Sequence, residues 1–479
     1  MNFASEKYPT CSHPLNLVVE FSWGMASSIS TKASTRYRLP EASLHLKCLA
    51  GLFSFLKERL KHSFFLFLGE FMILTNFHKI FFTSMLLYLW VTPVYSQSTL
   101  PLIRPNSLLV DTSFSIKSLS KDSQIWYQRI CSNLNNMNAQ NSVISLASSN
   151  NVYTYGRQLN NYTTTLLQLL RITGDPAIMG EIYKISTLMK KELKDWSIID
   201  KNNKKYRKDG FLNWLYLRDN EYFGTDLHEM DEMLTHSLVA AMAYALWINR
   251  DINPEFFHDS KFWLDYLENH FEKKWRKRKN IPQAFPFLSK NLTHVHIQWI
   301  RYNYYLAKMT GKTEYLSEAK RLSKIFAQHI RLNPHVPGNP AIWDHGMPIV
   351  GTPSHGPQPL QYARYTVQAA IDLAMEGFDI FAHPGFMEKI SLTLSAVIMV
   401  DNSGKAFPYR IDGSDLGRES PERFAISPWT LLGRWDPSGR ILKISEKVYF
   451  LTEANPEKPL NIYIPAGMVF SLDILKMDF

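Results

Sequence analysis

The stretch NLTHVHIQWIRYNYYLAKMTGK, Asn291 to Lys312, contains two histidines, an arginine and three tyrosines in a pattern that predicts a helix. At about 100° per residue, His294, Arg301 and Tyr305 fall on one stripe, with Tyr302 beside it. An imidazole, a guanidinium and a phenol that share one face can accept, donate and stabilise a proton. Their combination predicts a proton-transfer site, and the alternative is that they only hydrogen-bond neighbouring helices.

A second cluster lies in TDLHEMDEMLTHSLVAAMAYAL, where Glu229, Glu232 and His236 recur at helical spacing. This spacing lets carboxylates orient the imidazole. A metal site built from His228, Asp231 and His236 is an alternative, although the spacing is not that of a zinc protease. Asp231 and Glu232 could also serve glycoside hydrolysis. They diverge by about 100° on a helix and would need a partner from another helix.

A third candidate is the segment WDHGMPIVGTPSHGPQPLQYARYTVQAA, which is rich in Gly, Pro and His before a predicted helix. Long loops in compact folds are often functional. His355 would then lie at the rim of a cleft, with Tyr362 and Arg364 or Tyr365 entering from the helix. An ordinary connector is the alternative. Trp214 is a candidate platform for a sugar ring, and equally a core residue.

The elements that must position these residues are helical hairpins. The junctions in LLRITGDPAIMGEIYKISTLMKK and YLAKMTGKTEYLSEAKRLSKIFAQ both end one helix at Thr-Gly and begin another soon afterwards. Recurring hairpins indicate a repeated all-α architecture. We expect an (α/α) toroid, an incomplete barrel with inner helices around a cleft; an open α-solenoid for protein binding is the alternative. Gly439 lies at a further helix turn, and the tail NIYIPAGMVFSLDIL predicts a short irregular or β-containing segment.

Composition and charge exclude several protein classes. Of the 479 residues, 45% are hydrophobic and 20% charged, which is typical of a globular protein and not of a disordered or fibrous one. The net charge is +10, and the part beyond residue 97 keeps 44 basic against 38 acidic residues. EKKWRKRKN is the one concentrated basic run. An anionic polymer would suit such a run, whereas nucleic acid conflicts with the export signal described next.

The apolar run IFFTSMLLYLWVTPV, Ile80–Val94, resembles the core of a secretory signal peptide. It is short for a membrane span, which needs about 20 apolar residues, although an anchoring helix is the alternative. Met72 would supply a short n-region. The sequence therefore predicts a periplasmic or secreted monomer with the following parts: an over-extended start at 1–71, a signal peptide at 72–97, a toroid catalytic domain at 98–452 and a tail at 453–479.

The paired hairpins, together with a histidine on one helix and the pattern HxHxxxxRYxYY on another, resemble the polysaccharide lyases that cleave alginate and glucuronan. The resemblance covers roughly residues 150–377. It implies cleavage of an anionic uronate polymer by β-elimination, with no metal or other cofactor. Tyr302 and His236 would be the catalytic tyrosine and histidine, and Arg301 or His294 would neutralise the substrate carboxylate.

The resemblance also implies a set of substrate-binding residues. His296 takes the position at which those lyases carry an arginine. An amide from Asn160 or Asn161 would assist in neutralising the carboxylate. The full set of expected substrate-binding residues is Asn160, Asn161, Trp214, His296, His355, Tyr362 and Arg364.

The chemistry of β-elimination matches these residue types. Removal of the C5 proton of a uronate builds an enolate-like dianion, whose charge Arg, His or Asn can stabilise. A phenol has an ordinary pKa of about 10, so a tyrosine base needs a nearby cation such as Arg301. The alternatives are a toroid glycoside hydrolase that uses Asp or Glu, and a polysaccharide-binding protein without catalytic activity.

Overall fold

The fold is mostly helical. The computed structural model describes residues 107–195, 209–217, 229–277, 292–347, 355–415, 425–453 and 461–474. Helices take up 70% of these residues, and the strands form one small two-stranded sheet. The predicted over-extended start and signal peptide lie outside the described residues, as does His228. No helix in the described ranges has the length and apolar character that crossing a membrane requires.

Twelve helices are labelled in chain order among the described residues. Their bounds are α1 Lys121–Leu134, α2 Met137–Ala147, α3 Asn160–Thr173, α4 Pro176–Lys191, α5 Glu229–Ile248, α6 Pro254–Asp265, α7 Thr293–Thr310, α8 Thr313–His329, α9 Leu360–Met375, α10 Pro384–Leu392, α11 Arg440–Val448 and α12 Tyr463–Ile474.

Shorter elements join or extend these helices. The antiparallel strands β1, Arg331–Leu332, and β2, Ala341–Ile342, pair between α8 and α9. The remaining short segments are the 3₁₀ turns Ile116–Ser118, Asp379–Ala382 and Ser427–Trp435, the α-helical turns Val152–Thr154 and Lys273–Lys277, and the π-helical turns Tyr155–Leu159, Tyr266–Glu272, Thr393–Ile398 and Tyr449–Glu453.

The predicted Thr-Gly hairpins are confirmed. Helix α3 ends at Gly174, whose φ of 64° is the left-handed conformation that glycine adopts readily. Asp175 then accepts a hydrogen bond from the Ala177 N–H and caps α4, with Pro176 in the first turn. Gly311 ends α7 in the same way, at φ 69°. The sequence predicts these helix ends because they depend only on adjacent residues.

Among the described residues, helices α3, α5, α7 and α9 form a central group, and most of their side chains are buried. Helix α3 contacts α5, α5 contacts α7, α7 contacts α9, and α9 contacts α3. Each also packs against the helix that follows it: α4, α6, α8 and α10. A helix that is buried on all sides has no free polar face, so its polar side chains must bond to neighbours.

The four central helices run in the same direction. At their first turns, Tyr362 of α9 stacks on His294 of α7, with ring centroids 4.9 Å apart. Toward the other end, the Arg171 Nη2 atom of α3 donates to the Tyr305 phenol of α7 at 2.8 Å. In the same region Tyr244 of α5 stacks on Tyr305 at 5.3 Å. The first turns of the central helices therefore gather at one end of this group of helices.

The expected β-containing tail is wrong, because residues Tyr463–Ile474 form helix α12. Residues 461–471 are all buried, so their apolar pattern reflects burial on every side and not the alternation of a strand. Pro465 is tolerated because it falls in the first turn, where no intrahelical N–H donor is required. Gly467 allows close packing, since a Cβ atom there would lie 2.5 Å from the Cβ of Thr430.

Two helical glycines give a test of this packing. Gly467→Ala should lower the free energy of unfolding by about 1–3 kcal/mol, because the new methyl group overpacks the contact with Thr430. Gly180→Ala in α4 is the matched control. Nothing lies within 4 Å of its added Cβ, so it should raise stability by about 0.5–1 kcal/mol. Urea unfolding of the full chain measures both, and equal effects would contradict the packing of α12.

Candidate functional site

Tyr302, the expected catalytic tyrosine, lies in the core. Its side chain is 0% exposed, and its phenol donates to the Leu267 carbonyl at 3.3 Å. The ring packs edge-on against Phe271 and Trp299. Burial, and then the negative charge of Glu272, raise the pKa of Tyr302 well above its ordinary value. A base near neutrality needs the opposite shift, so this tyrosine fits a packing role.

His236, the expected catalytic histidine, has both ring nitrogens occupied. Nδ1 lies 2.5 Å from the Glu232 carbonyl oxygen, which can only accept, so Nδ1 carries the hydrogen. Nε2 therefore accepts from the Tyr266 hydroxyl at 2.8 Å. Phe271 stacks on the ring at 3.6 Å and separates it from Tyr302. In this structure His236 and Tyr302 are both buried, and Phe271 contacts each of the two rings.

Arg301 also belongs to the core and not to a cleft. Its Nε and Nη2 atoms lie 2.8 Å and 2.7 Å from Asp372 Oδ2, and Nη2 reaches the Thr164 hydroxyl at 3.3 Å. Tyr305, on the same predicted stripe, donates to Asp372 at 3.2 Å. Arg301 and Tyr305, on successive turns of α7, therefore both bind Asp372 of α9. Arg301 is thus not placed to neutralise a substrate carboxylate.

Four of the expected substrate-binding residues are bonded inside the fold, because they lie on buried faces. Their polar atoms donate to backbone carbonyls: Trp214 Nε1 to Met189 at 3.0 Å, Asn160 Nδ2 to Leu234 at 2.5 Å, Asn161 Nδ2 to Arg157 at 3.1 Å and His296 Nε2 to Leu322 at 2.9 Å. Of these four residues, Asn161 is the one whose bond is made to a residue of the site described below, Arg157.

The acidic alternatives are paired. Asp231 and Glu232 diverge as expected for adjacent helical positions: Asp231 bonds Arg157 Nε at 2.6 Å, and Glu232 lies 3.2 Å from Lys274 Nζ. Both carboxylates are buried and each is paired with a different cation, so the two are not arranged as a hydrolytic pair. Among the described residues, no group of three His, Cys, Asp or Glu side chains is placed to bind a metal ion.

Three aromatic rings gather where the first turns of α7 and α9 meet the loop after β2. His294 stacks on Tyr362 at 4.9 Å and on His345 at 5.2 Å, and His345 lies 4.9 Å from Tyr362. His294 is fully buried, whereas Tyr362 and His345 are partly exposed. We call His294, His345, Tyr362 and Arg157 the ring cluster.

Arg157 supplies the charge of the ring cluster. It is partly exposed, and its guanidinium carbon lies 5.5 Å from the centre of the Tyr362 ring. It lies in the π-helical turn before α3, a local widening that is frequent at functional sites. Gly156 brings this turn against α5, because a Cβ there would be 2.9 Å from the Asp231 carbonyl oxygen. Arg157 can therefore reach the Asp231 carboxylate.

Two further predicted residues border the ring cluster. His355 is exposed, with its ring 6.2 Å from that of His345. Arg364 donates to the Tyr365 hydroxyl at 2.7 Å, and Tyr365 in turn donates to the Arg157 carbonyl at 3.2 Å. The structure thus brings together His294, Tyr362, His355 and Arg364 from the sequence-based set.

The loop that carries His345 is tied to the start of α7. The Thr293 hydroxyl donates to the Asp344 carbonyl at 2.5 Å, and the Thr293 N–H donates to the His345 carbonyl at 3.0 Å. The His345 N–H then donates to the Gly356 carbonyl at 2.8 Å. His345 does not belong to a helix, and these backbone bonds hold its loop so that its ring lies beside His294.

Both histidines of the ring cluster are neutral near pH 7. Burial, with His355 and Arg410 nearby, lowers the pKa of His345 to about 4. Burial, then His345 and Arg157, lower the pKa of His294 well below its ordinary value. Among the described residues, His345 Nδ1 and His294 Nε2 are buried without a hydrogen-bond partner. Unlike His236, this pair has unused polar atoms.

Sequence reasoning missed Arg157 and His345. His345 lies within the Gly-, Pro- and His-rich segment, directly after Asp344, and its position three residues before a proline gives no sign of a role. Arg157 carries no prediction, because nothing in the sequence marks a π-helical turn. Comparison with known proteins gives no match to any family description, curated protein or solved structure.

The buried histidines predict how stability depends on pH. His236 and His294 have folded-state pKa values well below the 6.5 of an unfolded chain, so below pH 6.5 only the unfolded state gains these protons. Unfolding free energy should therefore fall with decreasing pH, by up to about 1.4 kcal/mol per pH unit for each histidine. Above that range they contribute no slope.

His236→Gln tests this contribution through the pH dependence of the unfolding free energy and not through its absolute value. Lost packing should cost the same at every pH, whereas the slope below pH 6.5 should decrease by one histidine's share. Chemical unfolding of the full chain over a pH series measures it. An unchanged slope would show that His236 takes up its proton in the folded state.

Proposed function

We propose that this chain is a polysaccharide lyase that cleaves an anionic uronate polymer of the alginate or glucuronan type by β-elimination. The observation that carries the proposal is the ring cluster: two neutral imidazoles and a phenol lie within about 5 Å of one another, with a guanidinium over the phenol. His294 thereby remains among the proposed catalytic residues, whereas Tyr302, His236 and Arg301 are replaced by His345, Tyr362 and Arg157.

An (α/α) toroid is the architecture that we propose for this enzyme. Support comes from the four central helices, which share a direction and each pack against the following helix. Such an arrangement gathers the first turns of the inner helices at one end, where the ring cluster lies. An open solenoid would leave α3 and α9 far apart, whereas these two helices are in contact.

Electrostatics favour an anionic substrate at the ring cluster. Three helices, α5, α7 and α9, begin around it, and the amino ends of helices carry partial positive charge. Burial acts to lower the pKa of Arg157, but Asp231 and two neighbouring tyrosines raise it further, so the guanidinium stays charged. Arg364 and Arg410, both partly exposed, add positive charge nearby.

The roles of the side chains follow from their charge states. Neutral His345 takes the C5 proton of the uronate, and Arg157 stabilises the negative charge that develops on the carboxylate. Tyr362 donates its proton to the departing O4 atom as the C4–O4 bond breaks, which leaves an unsaturated sugar. A bound carboxylate would raise the pKa of His345, which makes it a better base than in the free protein. Proton exchange with solvent restores both groups.

The remaining expectations complete the proposal. The lyase would be exported through the signal peptide at 72–97 and act in the periplasm or outside the cell as a monomer. The glycoside hydrolase alternative is less well supported, because Asp231 and Glu232 are paired with Arg157 and Lys274. A binding protein without catalytic activity is distinguished by the following test.

The full chain should convert alginate, glucuronan or a glycosaminoglycan into products whose new double bond absorbs ultraviolet light. His345→Ala should reduce this rate by about 10²-fold or more, the usual contribution of a general base. Tyr302→Phe is the control, because its phenol bonds only within the fold, and it should keep its activity.

The opposite ranking, with Tyr302→Phe inactive and His345→Ala active, would overturn the assignment of the site. A folded chain that gives no absorbance change with any uronate polymer would overturn the lyase proposal. Polymer binding without product would then favour the binding protein.

A further inference from the structure

Gln358 lies two residues before the start of α9, is fully buried and contacts His294 of the ring cluster. The Trp343 indole N–H lies 2.6 Å from its Oε1 atom, and the Thr366 hydroxyl lies 3.0 Å from the same atom. An indole nitrogen can only donate a hydrogen bond, so the atom that it contacts must be the amide oxygen. The orientation of the Gln358 amide is therefore determined by its neighbours and is not a free choice.

This orientation directs the NH₂ group of Gln358 at His294. Nε2 of the amide lies 3.3 Å from Nδ1 of the imidazole. Because an amide NH₂ only donates, Nδ1 must accept and carries no hydrogen. The neutral ring then holds its hydrogen on Nε2. The sequence of contacts from Trp343 through Gln358 thus selects one tautomer of His294.

The backbone around Gln358 holds it in place. Its N–H donates to the Trp343 carbonyl at 3.1 Å, and its carbonyl accepts from the Ile411 N–H at 3.1 Å. The Trp343 ring lies against Trp429, with centroids 6.4 Å apart. Gln358 therefore links the loop that carries Trp343, the start of α9 and the segment near Ile411.

We infer that Gln358 is a positioning residue that keeps His294 as the Nε2–H tautomer, so that this N–H is a fixed donor for a carboxylate oxygen of the ligand. The inference rests on the proposed function for the identity of the ligand. Among the described residues, the Nε2 atom is buried without a partner. Buried donors are nearly always paired, so an unpaired donor beside a ligand site indicates an acceptor that the ligand supplies.

The surroundings of His294 favour an anionic acceptor. His345 and Tyr362 stack on its ring, and Arg157 is close enough to oppose its protonation. The Gln358 NH₂ opposes protonation as well, because an imidazolium would present a second N–H to it. A neutral donor beside a guanidinium suits a carboxylate, since the donor does not need to gain or lose a proton during the reaction.

Nuclear magnetic resonance of the full chain with ¹⁵N-labelled histidine tests the tautomer directly. His294→Gln identifies the His294 signals by their loss. We expect an unprotonated Nδ1 and a protonated Nε2, unchanged between about pH 8 and pH 6. An Nδ1–H tautomer, or titration within this range, would overturn the inference. This measurement is independent of any lyase activity.

Gln358→Glu provides the matching change in sequence. The carboxylate can still accept from Trp343 and Thr366, but its other oxygen accepts from Nδ1–H and stabilises the imidazolium. Both nitrogens of His294 should then be protonated near neutral pH. Gln124→Glu in α1 adds the same charge elsewhere and should leave the signals unchanged. An unaltered His294 in a folded Gln358→Glu protein would overturn the role of Gln358.

Addition of D-glucuronate tests the ligand. The His294 Nε2–H signal should shift with D-glucuronate and not with D-glucose, which lacks the carboxylate. Equal shifts, or none with either sugar, would overturn the carboxylate assignment while leaving the tautomer result in place. If the tautomer and the D-glucuronate shift are found but no polymer is cleaved, the proposed function fails and the positioning role of Gln358 stands.

Discussion

Asp372 is the buried charge on which the packing of the central helices depends. Arg301 binds it through two nitrogens, Tyr305 donates to it, and Arg171 Nε lies 3.6 Å from its second oxygen. These partners come from α3 and α7, and Asp372 itself lies on α9, so one carboxylate links three helices. Removal of one member of a buried ion pair leaves a charge without compensation and typically costs about 3–5 kcal/mol. Directional bonds of this kind fix the rotation of each helix, which apolar packing alone does not.

Fixed rotations at one end of the helices determine what meets at the other end. On α7, Arg301 lies about two turns after His294, and on α9 Asp372 lies about three turns after Tyr362. Because the helices share a direction, the ionic contacts hold His294 and Tyr362 against each other. The ring cluster is therefore a consequence of the core network, even though no residue belongs to both.

The sequence predicted the helices and their hairpins because these depend on local signals: the apolar period, a capping Asp175 and the glycines at 174 and 311. It also predicted correctly that His294 and Arg301 share a stripe. It could not predict that this stripe contributes His294 to the ring cluster in the first turn of α7 and Arg301 to the buried ionic network in the third turn. That difference depends on which side chains of the neighbouring helices lie beside each turn. The burial of His236 and Tyr302 could not be predicted for the same reason, and the prediction for the tail was wrong because uniform burial removes periodicity.

The π-helical turn Tyr155–Leu159 has a consequence for how this chain tolerates change in length. A turn of this type contains one residue more than an α-helical turn, so loss of a single residue there would restore an ordinary helix. Everything before the deletion would then rotate by about 100° relative to α3. If the lost residue follows Arg157, at Gln158 or Leu159, then Arg157 would leave Asp231 and the face of Tyr362, while Arg171, further along, would keep its partners. One insertion or deletion could thus add Arg157 to the ring cluster or remove it, without disturbing the Asp372 network that links the central helices.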